Sequence, residues 1–161
     1  MPAIRHTRAR DVDRLTAIGL AAWQSAIAGL ADGERMRRVA EASFFRFLSD
    51  HWLSVLLIEA EGGIRGWVAR EDFDNAISDL WIEPGVQGRG LGALLLGEIE
   101  RRIVADGFDV ATTKTHARND RAVTFFRNRG YGVSWLSTAY APQLDSDVEF
   151  IGLSKVLTEQ D

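Results

Sequence analysis

The chain has 161 residues, 46% hydrophobic and 26% charged, proportions that suit one folded domain over residues 1–161 and exclude a disordered chain. Lys and Arg number 19 against 23 Asp and Glu, and the resulting charge of −4 argues against a nucleic-acid or anionic-membrane partner. The absence of cysteine excludes a thiolate nucleophile, disulfides and Cys-based zinc sites, and the scattered His6, His51 and His116 give no metal-ligand spacing, so no metal is expected.

Behind the basic residues of the N-terminus there is no apolar run before Asp11, which predicts neither a secretory leader nor a membrane span and makes the cytosol the expected compartment. A short strand over Ala3 to Arg8 is followed by a helix from Asp11 to Ile27. There Leu15, Ile18, Ala22, Trp23 and Ala26 recur at helical spacing, and Asp11 is placed to cap or begin it. Gly29 to Gly33 interrupts the pattern. Met36, Val39, Ala40, Phe44, Phe47 and Leu48 then predict a second helix over Glu34 to Leu48, broken near Ser43.

Leu53 to Glu59 and Ile64 to Arg70, joined by Glu61-Gly62-Gly63, read as a hairpin, and Ala76 to Glu83 adds a third antiparallel strand ended by Pro84-Gly85. A long helix from about Gly90 to Ala105 carries Leu91, Leu95, Ile99 and Ile103 on one stripe, pairs Glu98 with Arg102 on the wet side, and ends at Gly107. A strand over Phe108 to Thr115 leads to a helix over Asn119 to Arg129, with Asn119 as N-cap and Gly130 as left-handed terminator. Strands over Tyr131 to Tyr140 and Val148 to Val156, separated by Pro142 and an Asp-rich turn, precede a loose tail, Thr158 to Asp161. The alternation predicts an α/β or α+β layered fold.

One segment carries chemistry: Leu80-Trp81-Ile82-Glu83-Pro84-Gly85-Val86-Gln87-Gly88-Arg89-Gly90-Leu91-Gly92. A strand passes through a glycine turn straight into a helix. Such a turn lets backbone N–H groups approach a ligand closely, and the helix start adds about half a positive charge, so a phosphate or pyrophosphate is the natural guest. Arg89 can add a charged hydrogen bond. Gly-x-Gly-x-Gly is neither the dinucleotide fingerprint nor the Walker sequence.

Gln87, Gly90 and Gly92 match the Gln/Arg-x-x-Gly-x-Gly/Ala signature of the GCN5-related N-acetyltransferase (GNAT) family, preceded as in that family by Ile82-Glu83-Pro84. Downstream, Asn119, Ala122, Phe125-Phe126 and Gly130-Tyr131 resemble the family's second motif, so the resemblance covers nearly the whole chain. It implies a mixed, mostly antiparallel sheet of about six or seven strands with about four helices, splayed between two parallel central strands. It also implies acetyl-CoA as co-substrate, an amine of a small molecule or protein as acceptor, direct attack in a ternary complex, and a homodimer as one form such proteins take. By the same resemblance Gln87, Gly88, Arg89, Gly90, Leu91, Gly92 and Ala93 grip the pyrophosphate. Pantetheine lies beside Trp81, Ile82 and Phe126, and the Ile82 N–H faces the thioester oxygen in an oxyanion-hole role. Asn119 contacts pantetheine or holds the splay, or is a plain N-cap.

Transfer needs a neutral amine, and a lysine-like amine of pKa ~10.4 is short of that at pH 7 by roughly 4.6 kcal/mol. Asp79, a carboxylate inside the apolar run Ile77 to Ile82, is the first choice of base, because burying it is expensive unless it faces a polar cleft. Glu83 is the second, with Glu71, Asp74 and His116 behind. Many family members carry Tyr as the second residue of the aromatic pair, where its hydroxyl protonates the leaving thiolate, but Phe126 has no proton to give. The thiolate then leaves unassisted, or Tyr131 or Tyr140 substitutes. The alternative reading is a non-catalytic acyl-CoA-binding or regulatory module of the same fold. Of the five tryptophans, Trp81 and Trp23 are best placed to edge a substrate pocket.

Overall fold

The computed structural model describes residues 1–27, 33–70, 73–141 and 145–157. Strand β1 (Ala3–His6) passes through a 3-10 turn into α1 (Val12–Ala26), followed by α2 (Glu34–His51), β2 (Val55–Ala60), β3 (Gly63–Arg70) and β4 (Ala76–Ile82). After the glycine turn come α3 (Leu91–Ala105), β5 (Val110–His116), α4 (Asp120–Arg127), β6 (Gly132–Ala141) and β7 (Ser146–Val156). The strands form one seven-stranded sheet in the order β1-β2-β3-β4-β5-β7-β6, antiparallel at every pairing except β4 with β5. This is the mixed, mostly antiparallel sheet that the resemblance implied, with four α-helices among the described residues.

Two apolar layers sandwich the sheet. On one face Leu91, Leu95, Leu96, Ile99 and Ile103 of α3 bury against Ile58, Val68, Ile77, Ala111 and Leu153, with Phe126 and Tyr131 completing the cluster. On the other, Val12, Leu15 and Ile18 of α1 and Leu48 of α2 cover Leu57, Trp67 and Ala69. Each fully buried Leu or Ile contributes roughly 1.5–3 kcal/mol of transfer free energy, so the α3 stripe anchors the helix that carries the glycine turn. No helix among the described residues is long and apolar enough to cross a membrane.

Two features of β4 position its side chains. It pairs with β5 only at Ala76–Thr112 and Ile77–Thr113, although both strands run several residues further, so the pair splays toward Ile82 and His116. A bulge against β3 shifts the register, with Ala69 opposite Asp79 but Arg70 opposite Ile77, and leaves Ser78 as the extra residue. Ile77, Leu80 and Ile82 therefore pack with the α3 layer, whereas Asp79 and Trp81, opposite Ala69 and Trp67, face α1.

Local expectations differ from the structure in three places. Helix α2 is unbroken to His51, because Ala40, Phe44, Phe47 and Leu48 keep one inward face while Ser43 lies on the exposed one. Strand β1 stops at His6, and Asp11 caps no turn of α1 with its side chain. Its carboxylate instead accepts from the Arg8 N–H at 2.8 Å and from both Arg5 terminal nitrogens, bending the chain there. Finally, α4 ends at Arg127 and not at Arg129, with Gly130 at φ 95° turning the chain into β6. Pro142 and the tail Thr158 to Asp161 lie outside the described residues.

Candidate active site

Gly88 and Gly90 hold φ of 82° and 83°, the left-handed region that a Cβ disfavours. The Gln87 side-chain amide donates to the Ile82 carbonyl at 3.2 Å and ties the turn back to the end of β4. Gly90 is the N-cap of α3, and its carbonyl accepts the Leu94 N–H at 3.1 Å. The N–H groups of Leu91, Gly92 and Ala93 thus have no acceptor within the helix and project from its positive end.

They open on a cavity of about 350 Å³. Leu80, Trp81 and Ile82 of β4 form its floor, the glycine turn one wall, and Asn119, Arg121, Ala122, Phe125, Phe126 and Arg129 the other, while Ala22, Ser25 and Ala26 of α1 close the far end. The Glu83 N–H donates to Arg65 O at 2.8 Å. By strand alternation the Trp81 N–H also turns to β3, and the Ile82 N–H turns toward the splay that β5 has left.

Of the residues expected at the site, Trp81, Ile82, Gln87, Gly88, Gly90, Leu91, Gly92, Ala93, Asn119 and Phe126 line this cavity. Asp79, Glu83 and Arg89 do not. The Arg89 guanidinium is ion-paired with Glu61 of the β2–β3 turn. Glu83 is held by Arg14 of α1 at 2.9 Å and by Arg65 of β3 at 2.8 Å, and these two guanidinium hydrogen bonds lower its pKa below the usual carboxylate range. Asp79 sits next to the lining residue Leu80 on the α1 face, with Ser78 Oγ donating to Oδ2 at 2.8 Å and Trp81 Nε1 to Oδ1 at 3.0 Å.

Asp74 accepts the Ala76 N–H at 2.9 Å, at the end of β4 far from the splay, and Glu71 lies outside the described residues. His116 closes β5 with its ring 5.5 Å from that of Phe150. Asn119 is both N-cap, accepting the Ala122 N–H at 3.2 Å, and cavity wall. Trp23 packs with Ile27, Ala141, Val148 and Phe150 and not on the cavity. Neither tyrosine lines it: Tyr131 is buried and donates to Glu100 at 2.8 Å, burial pushing its pKa well up, and the exposed Tyr140 hydroxyl bonds Asp145.

Sequence reading assigned Arg121 and Arg129 no place at the site, and Ala122 and Phe125 entered only as motif residues without a lining role. The i, i+3, i+4 spacing of Ala122, Phe125 and Phe126 is the available signal for one shared face of α4, and Arg129 follows in the turn after it. The Arg129 guanidinium lies 4.4 Å above the Phe125 ring, and its Nε is out of solvent with no hydrogen-bond partner. The cavity therefore sets the N–H groups of a helix start against two arginines, chemistry suited to phosphates. Among the described residues no cluster of His, Asp and Glu could hold a metal ion.

No curated protein matches the chain. Among solved structures, a GCN5-related N-acetyltransferase from Rhodopseudomonas palustris superposes with TM-score 0.78 at 22% identity, over 97% of this chain and 96% of that one. The PaiA N-acetyltransferase of Thermoplasma acidophilum, solved with coenzyme A, gives 0.79 at 17% identity over 97% and 99%. YncA from Salmonella typhimurium, solved with its cofactor acetyl-CoA, gives 0.70 at 17% over 100% and 96%. These likenesses establish the fold. The model of the GNAT acetyltransferase family matches residues 19–131, more than half of the chain, and the chain belongs to that family of N-acetyltransferases.

Proposed function

We propose that the protein moves the acetyl group of acetyl-CoA onto an amine by direct attack in a ternary complex. The observation that carries this reading is one cavity lined both by the glycine turn with its free N–H groups and by Leu80 to Ile82, the end of β4 that has parted from β5. PaiA and YncA, of the same fold, were solved with coenzyme A and acetyl-CoA respectively. Here the pyrophosphate binds the N–H groups from Gly88 to Ala93, with Arg121 of α4 and Arg129 just beyond it on the same cavity, and pantetheine runs along β4 past Phe126 and Asn119.

The Ile82 N–H then hydrogen-bonds the thioester oxygen as negative charge gathers on it, stabilisation that strengthens only during attack. Asp79 takes the proton of the incoming amine, and Ser78 and Trp81 hold its carboxylate in place. The nitrogen lone pair forms the C–N bond, the C–S bond breaks, and the sulfur leaves with the electron pair. No protein hydroxyl of Tyr131 or Tyr140 lines the cavity to protonate it, and a thiol of pKa ~8.5 is a competent leaving group without help.

Calorimetric titration with acetyl-CoA, followed by thiol release across a panel of amines, tests the proposal. Binding with turnover on at least one amine is expected. Binding with no turnover on any would favour the non-catalytic module, and preference for ATP or NAD over CoA would remove the cofactor assignment.

A further inference from the structure

On the α1 face, the two sides of the splay carry opposite charge. Lys114 pairs in register with Gly152 and His116 with Phe150, and Phe150 packs with Trp23 and Ile27 at the end of α1. Lys114 and His116 therefore share a face with Asp79 and Trp81, one strand across, beyond the last β4–β5 pairing at Ile77–Thr113. Lys114 is exposed, and no carboxylate pairs with it among the described residues. Its ammonium lies 5.5 Å over the Phe150 ring, which steadies the side chain without neutralising it.

Among the described residues, the strands on the rest of this face give the charge no partner. In register, the β7 residues on it are Val148, Phe150, Gly152 and Ser154, and the β6 residues include Trp135, Ser137 and Ala139, while Asp147 and Glu149 point to the opposite side. His116 adds a second unmet group, since both its ring nitrogens are out of solvent and without hydrogen-bond partners. Burial, and then the nearby Arg118, hold its pKa below the usual value, so it stands as a neutral ring with an N–H to donate. On the same sheet face Asp79 supplies a carboxylate from β4, with Trp81 beside it, and Phe150 adds an aromatic surface beside Lys114 and His116.

We propose that the acceptor is an amine that itself bears a carboxylate, an amino-acid-type molecule whose amino group meets Asp79 while its carboxylate meets Lys114 and His116. This rests on the transferase reading above. A diamine would bring a second cation up to Lys114, and a neutral amine would leave that cation without a counter-charge.

The test measures kcat/KM for α-amino acids with apolar or aromatic side chains, their methyl esters and a simple diamine, alongside calorimetric binding of each to the CoA-loaded protein. The free acids should be preferred to their esters by about tenfold or more, the scale of one charge-assisted hydrogen bond. Lys114→Met should erase that preference by slowing the acids while leaving the esters within about twofold, and Lys114→Glu should shift preference toward the diamine. Equal or better use of esters or diamine by the wild type, or an equal loss on all acceptors in Lys114→Met, would overturn the acceptor assignment alone. Tight acetyl-CoA binding with no turnover on any of them, or on a wider amine panel, would overturn the transferase reading and this inference together.

Discussion

Trp81 Nε1 donates a 3.0 Å hydrogen bond to Oδ1 of Asp79, two residues back on the same face of β4. The bulge at Ser78 makes this arrangement: without the extra residue, Asp79 would share the face of Ile77 and bury in the α3 layer. With it, a carboxylate from an apolar strand faces α1, its oxygens held by Trp81 and Ser78. Replacing Asp79 by Asn should keep the fold and lower kcat about 10² to 10⁴-fold, with the alkaline shift in the pH–rate profile expected of a lost base. An unaltered profile removes Asp79 from that role.

Gly90 at φ 83° supports a second prediction. Nothing lies within 4 Å of a Cβ built there, so the protein has space for a side chain but not the backbone conformation, and the ligand loses its approach. Gly90→Val should cost about 1–2 kcal/mol of stability and weaken acetyl-CoA binding at least about tenfold. Calorimetry on the folded variant decides, and unchanged affinity would place the phosphates elsewhere.

The arginines divide the same question. Arg129 lines the cavity with a bare Nε, whereas Arg89, in the motif itself, is already paired with Glu61. Arg129→Met should therefore raise the Kd for CoA by roughly ten- to hundredfold, the worth of a charge-assisted contact, and flatten its salt dependence. Arg89→Met should change it by less than about threefold. The reverse ranking would mean that Arg89 leaves Glu61 for the ligand.

Phe126 is buried, edge-on to Phe125 and Tyr131 at 5.2 Å, and borders the cavity. A hydroxyl added by Phe126→Tyr can point into that space, so the variant should fold. Because the thiol is a good leaving group unaided, kcat should stay within about threefold; a rise of tenfold or more would show that departure of the thiolate limits the wild type.

Glu83 links pH to stability. Its pKa is lowered in the folded protein by Arg14 and Arg65 relative to an ordinary 4.5. The unfolded chain therefore binds more protons in that window, and the stabilisation is complete above about 4.5 and lost as pH falls through the folded value. Asp11, bonded to Arg5, acts with the same sign. Urea melts of Glu83→Gln should show a loss of up to about 1 kcal/mol at neutral pH and a shallower decline toward acid. An acid limb as steep as that of the wild type would refute the linkage.

Much of this was legible in the residues because the signals are local. The α3 stripe from Leu91 to Ile103, the Asn119 cap and the left-handed Gly130 each depend on neighbours within a turn or two. Arg89 and Glu83 show where such reading stops. Their positions beside the glycine turn suggest phosphate and acceptor, yet their partners come from Glu61, Arg14 and Arg65, as far as 69 residues away in the chain. No periodicity carries that information. Arg121 of α4 and Arg129 just beyond it were missed for the same reason, since such a face becomes a cavity wall only when another element stands opposite.

From sequence alone the chain was bound to alternate strands and helices, to turn through glycines into α3 and to resemble one acetyltransferase family, because periodicity, capping and backbone freedom are properties of short segments. Only the tertiary structure decided that β4 and β5 part after Ile77, that the Ser78 bulge brings Asp79 round to α1, and that Lys114 of β5 shares that face of the sheet. Those outcomes arise from strand register, which is settled by how whole faces bury and not by any residue acting alone.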